Sequence, residues 1–199
     1  TLADITVDKV PPAVPTGLTL SSAVGFTSGG EQVVTLTATW DRNLEADFLV
    51  YEGQIQRGED GDWTDFSLGL PANGAPSHVW RVEAGTSYSV RLRGRDRSGN
   101  ASDYSDAVTI ISAVDTTPPG SLSDVLADVG LRSVILRWTN PQDLDLDMVE
   151  VFRAAANDRA QALRVGSVRG SVFADQGLAP GSTWHYWLRA VDRTGNAGA

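Results

Sequence analysis

Three carboxylates alternate with leucines in Asp143-Leu144-Asp145-Leu146-Asp147, and alternation along an extended chain would put all three on one side. Oxygen-rich clusters of that kind suit calcium. The spacing has neither the central glycine nor the distal glutamate of a calcium loop, so the segment reads as an acidic loop and assigns no metal ligand. The other suggestive cluster is Trp184-His185-Tyr186-Trp187, whose rings could form a platform for sugar stacking. Neighbours three apart in a strand face opposite ways, so Trp184 is expected toward the core and Trp187 outward. A single exposed ring is an ordinary surface feature.

Acid/base chemistry needs carboxylates held together in a cleft with shifted pKa values. The chain has 25 Asp and Glu residues, yet no pattern places a pair in a pocket. No serine sits in a nucleophile elbow, and no glycine loop precedes a helix. With no cysteine and only His78 and His185, thiolate sites are excluded and imidazole sites have little to draw on. The sequence therefore assigns no catalytic, cofactor-binding or metal residue, and the segment reads as not an enzyme.

The elements that carry these residues come in two copies. Asp96-Arg97-Ser98-Gly99-Asn100-Ala101 returns as Asp192-Arg193-Thr194-Gly195-Asn196-Ala197. The same offset of 192 − 96 = 96 residues carries Gly85 onto Gly181 and Leu92 onto Leu188. A period of this size is a domain. Ahead of each turn, Tyr88, Val90, Leu92 and Trp184, Tyr186, Leu188 alternate with other side chains, the pattern of a half-buried strand. The turn follows from Asp bonding backbone amides ahead of it and from Gly and Asn tolerating positive φ.

Seven strands are predicted in the first unit, at 17–24, 32–40, 47–56, 63–70, 78–82, 88–96 and 106–114, with Glu59-Asp60-Gly61-Asp62 as a hairpin turn and the loop 71–76 breaking pairing. The second repeats the plan with six, at 123–129, 133–138, 147–155, 161–168, 172–175 and 183–192. No helix is predicted. The domains are therefore 1–9, the last strand of a preceding module plus a hinge; 10–115, a full module; and 116–199, a module lacking its last strand in this chain. Pro11-Pro12 and Pro118-Pro119 are expected to act as stiff hinges. Opening at Thr1, the chain is expected to be a piece of something longer, with its final strand further downstream.

The formal net charge of −9 argues against a nucleic-acid groove, which needs clustered cations. No run approaches the length of a membrane span. A row of Arg91, Arg93 and Arg95 is expected to face outward and pair with acidic residues on adjacent strands. Asn100-Ala101-Ser102 fits a glycosylation acceptor formally and is read as part of the turn.

Trp40 and Trp138 ending the second strand of each unit, the corners Ala84-Gly85-Thr86-Ser87-Tyr88 and Pro180-Gly181-Ser182-Thr183-Trp184, and the strand spacing resemble tandem fibronectin type III modules over essentially the whole chain. The resemblance implies all-β, immunoglobulin-like sandwiches of three- and four-stranded sheets, with the Trp in the core and the corner aromatic bonded back to the turn before it. Trp184 departs from that pattern, having no phenolic hydroxyl. Neither Arg57-Gly58-Glu59-Asp60 nor Arg93-Gly94-Arg95-Asp96 is the Arg-Gly-Asp that some members display to receptors. The motifs 114–120, 178–183 and the Asp-Arg-x-Gly-Asn-Ala turn look bacterial or viral. They are most similar to modules of tail-tip host-specificity proteins of long-tailed phages and gene transfer agents. That implies a virion structural role, other tail proteins and a host-surface receptor as partners, a homotrimer, and no cofactor, nucleic acid or membrane insertion. The alternatives are spacer modules of a secreted bacterial carbohydrate-active enzyme and an adhesin stalk.

Overall fold

A computed structural model describes residues 8–69 and 75–198. The expected strand of a preceding module, at 1–7, lies outside the described residues, as does most of the loop 71–76. The chain separates into two compact units, the first made chiefly of residues up to Val114 and the second of Asp115–Ala199.

The first unit is a β-sandwich. Its strands are β1 (Thr19–Phe26), β2 (Gln32–Thr39), β3 (Phe48–Arg57), β4 (Trp63–Gly69), β5 (Ser77–Val82), β6 (Ser87–Asp96) and β7 (Val108–Ile111). One sheet runs β1-β2-β5 and the other β4-β3-β6-β7, the three-plus-four arrangement implied by the resemblance to fibronectin type III modules. Alternation decides the faces. Along β6 every second residue is buried, and Leu92 joins Ala38, Trp40, Phe48 and Tyr51 in a core between the sheets. Trp40 meets the Tyr51 ring edge-on at 5.3 Å, a favoured aromatic geometry. The corner forms as implied, with the Glu83 backbone N–H donating to the Tyr88 hydroxyl at 3.2 Å.

The second unit has β8 (Ser123–Gly130), β9 (Ser133–Thr139), β10 (Leu146–Ala154), β11 (Leu163–Val168), β12 (Val172–Gln176) and β13 (His185–Asp192). Its sheets are β8-β9-β12 and β11-β10-β13. Leu136, Trp138, Val149 and Val151 form its core. Gln161, expected to open a strand, instead ends a one-turn 3-10 helix, Arg159–Gln161, because the Asp158 carboxylate accepts from the Ala160 N–H and caps it. In the first unit Ser22 on β1 accepts from Ala113 at 2.9 Å, which ties that strand to the segment after β7. Among the described residues of the second unit no strand takes the position of β7, and β8 is exposed along its whole length.

One proline of each pair is packed into the module and the other, Pro11 or Pro118, is exposed. Pro12 and Pro119 are both buried, and Pro12 packs over Gly94, where an added Cβ would lie 3.3 Å from the Pro12 Cβ. Each lead-in segment is thus pressed onto the module that it enters.

Candidate functional site

That docking places an aspartate three residues before each proline pair against the end of the module. In the second unit Asp115, Asp145 and Asp192 each offer a carboxylate oxygen, the three lying within 4.8 Å of one another. Asp8, Asp47 and Asp96 do the same in the first. The scaffold behind both clusters is the same. Phe48 pairs with Asp96 and Leu146 with Asp192, each followed by a register shift. The Arg97 N–H donates to the Asp47 carbonyl and the Arg193 N–H to the Asp145 carbonyl, both at 3.0 Å. The side-chain amides of Asn100 and Asn196 reach the Asp8 and Asp115 carbonyls, both at 3.3 Å.

The turn that ends β6 and β13 orients one carboxylate of each set. Asp192 Oδ1 accepts from the backbone N–H of Thr194 and of Asn196 and from the Thr194 hydroxyl, at 2.9, 2.8 and 2.9 Å. Gly99 and Gly195 close the two turns at φ of 91° and 93°, a region that a side chain would strain. Burial raises the Asp192 carboxyl, but the bonds from Asn196 and Thr194 hold it below the ordinary carboxylate range. Asp145 behaves in the opposite way: burial, together with the charges of Asp192, Asp115 and Asp143, pushes its carboxyl up.

The acidic run 143–147, read from the sequence as a loop that assigns no metal ligand, has its three carboxylates dispersed. Asp143 accepts from the Gly120 N–H at 2.9 Å, Asp147 pairs with Arg169 at 3.0 Å, and Asp145 alone enters the cluster. Asp115 and Asp8 carry no calcium-loop spacing, and the offsets 115 − 8 = 107, 145 − 47 = 98 and 192 − 96 = 96 differ, so a fixed-period comparison misses the correspondence. The shared Asp-x-x-Pro-Pro was the legible signal.

The remaining candidates resolve into structure. Arg93 and Arg95 both bind Glu52, as the outward row predicted, whereas Arg91 donates to Gln54 at 2.8 Å and lies over the Trp63 and Tyr104 rings. A depression lined by Glu52, Asp65, Phe66, Arg93 and Tyr104 therefore offers carboxylates already engaged, Asp65 by Gln54 at 2.8 Å. Tyr186 and Leu188 pack on the second core, with His185 and Trp187 on the opposite face, their ring centroids 6.3 Å apart. Trp184, expected in the core, is half-buried under the Arg153 guanidinium. Its indole N–H donates to the Ser182 hydroxyl at 2.8 Å.

No protein-family model matches the chain. It is similar to Exoglucanase B from Cellulomonas fimi, 28% identical over 94% of this chain and 17% of the relative. Chitinase A1 from Niallia circulans is 24% identical over 97% of this chain and 25% of the relative. Protein sidekick-1 from Mus musculus is 31% identical over 47% of this chain and 4% of its own length. The chain thus spans a quarter or less of the curated relatives it matches. A crystal structure of the chicken CNTN1 FN1-FN3 domains matches at a TM-score of 0.40 and 20% identity, over 95% of this chain and 66% of that one. Among the described residues no helix is long and apolar enough to cross a membrane.

Proposed function

We propose that the chain is a pair of non-catalytic, fibronectin type III-like spacer modules within a secreted bacterial carbohydrate-active enzyme. One observation carries this reading: 94% and 97% of the chain align with an exoglucanase and a chitinase of which they make up only 17% and 25%. A segment of that proportion, with filled cores and its most buried glutamate engaged by arginines, suits separating other domains better than doing their chemistry. Buried prolines stiffen each lead-in, and the net charge of −9 discourages non-specific association. The tail-tip reading, with its host receptor and homotrimer, rests on motif resemblance and draws no support from the matched relatives.

The test is an internal deletion of both modules from the parent protein. Activity on a soluble oligosaccharide should be unchanged while activity on the insoluble polysaccharide falls several-fold. Equal loss on both substrates, or hydrolysis by the isolated chain, would defeat the proposal.

A further inference from the structure

Asp145 is only 7% exposed. Its carboxylate, which lies against Asp115 and Asp192, accepts from its own backbone N–H, and among the described residues no hydrogen bond from another residue and no ion pair reaches it. Other buried carboxylates of the same module are matched: Glu150 by Arg164 and Arg189, Asp175 by Arg153. Three formal negative charges at 115, 145 and 192 have no such partner. Burying an unpaired charge is among the costliest choices a fold can make, and the same three-carboxylate arrangement occurs in both modules.

We propose that Asp115, Asp145 and Asp192 bind one hard divalent cation, calcium, which ties the lead-in segment 115–119 to the loop before β10 and the turn after β13. The donor set is all oxygen, with no imidazole and, in a chain without cysteine, no thiolate, which selects against zinc and copper. Three carboxylates suit calcium's many-oxygen, tolerant shell better than magnesium, which keeps several waters and usually takes one or two carboxylates. Asp192 is held in place by its turn: three donors occupy Oδ1, while Oδ2, which accepts only the Asn196 amide, keeps a lone pair for the ion. Asp115 is half-buried, leaving a side from which water completes the coordination. In the first module the matching Asp47 is exposed, so that cluster binds more weakly.

The test is isothermal titration of the EDTA-stripped, dialysed chain with calcium chloride, alongside thermal melts in calcium and in EDTA. The unaltered chain should bind calcium and melt about 5 °C or more higher with saturating metal, since a ligand that binds only the folded state raises its stability. Asp145→Asn should lose the tighter site and its share of the melting shift. In EDTA the same variant should melt at or above the unaltered chain, because an uncompensated charge has gone. Asp115→Asn, at the half-exposed ligand, repeats the test should Asp145→Asn not fold. Magnesium should give the smaller shift. Absence of binding heat and of any shift at millimolar calcium overturns the proposal. So does a shift kept in full by both variants, or one reproduced by sodium chloride at equal ionic strength, which would be screening.

Discussion

Asn196 grips Asp192 twice, its backbone N–H donating to Oδ1 at 2.8 Å and its side-chain amide to Oδ2 at 2.9 Å. Asn100 grips Asp96 in the same two ways, both at 2.8 Å. Asp192 and Asp96 are 2% and 1% exposed, so these bonds replace water that the carboxylates have lost. The repeated turn is therefore a device for burying a charge at the end of a strand.

Asn196→Ala, measured in EDTA by urea denaturation, should cost about 1–3 kcal/mol, the penalty for leaving a buried acceptor short of a donor. Asn100→Ala should act in the same direction. A change near zero in both would mean that the turn is held by its backbone alone.

Gly53→Ala should destabilise the first unit by about 1–3 kcal/mol, as overpacking does. A Cβ at Gly53 would lie 2.1 Å from the Phe66 ring, and Phe66 packs on the core. Pairing the change with Phe66→Leu should recover part of the loss, as read from denaturation midpoints.

Acid should weaken the fold. Burial pushes the Glu150 carboxyl up, but the bonds and charges of Arg189 and Arg164 more than offset it and leave it below its ordinary range. The Arg95 bond, aided by Arg93, lowers Glu52. A carboxylate depressed in the folded state contributes stability that is present above its unfolded pKa, about 4.3 for Glu, and is lost as pH falls through the folded value. Melting temperatures should fall below about pH 4.5, less steeply in Glu150→Gln than in the unaltered chain.

Burial and the bond to Asp175, 2.8 Å away, push Tyr186 up to about 12. A raised phenol favours folding below its unfolded pKa, about 10, and that contribution disappears as pH rises through the folded value. Burial also raises the Tyr51 phenol, so ultraviolet titration should show two of the four tyrosines ionising late, and Tyr186→Phe should remove one of the two.

Most of the strand plan was legible because alternation and glycine turns are local signals. Tyr88-Val90-Leu92 marked a core face that the structure fills, and Trp40 and Trp138 marked both cores. The fate of Trp184 was not legible, since Arg153, which covers it, comes from a distant strand. Of the carboxylate cluster only the shared Asp-x-x-Pro-Pro was legible, because it joins residues 115, 145 and 192 across a docked lead-in, a loop and a turn. The acidic run at 143–147 looks like a cluster because its residues are adjacent, but long-range pairing with Gly120 and Arg169 holds its members apart.

The most direct test of the spacer reading is an immunoblot with antibody against this segment, run beside a polysaccharide zymogram of culture supernatant and of any purified phage particles from the source. The account predicts a secreted band far larger than 21.2 kDa that coincides with a zone of polysaccharide clearing. Signal confined to particles, or a secreted band with no clearing on any polysaccharide, would contradict it.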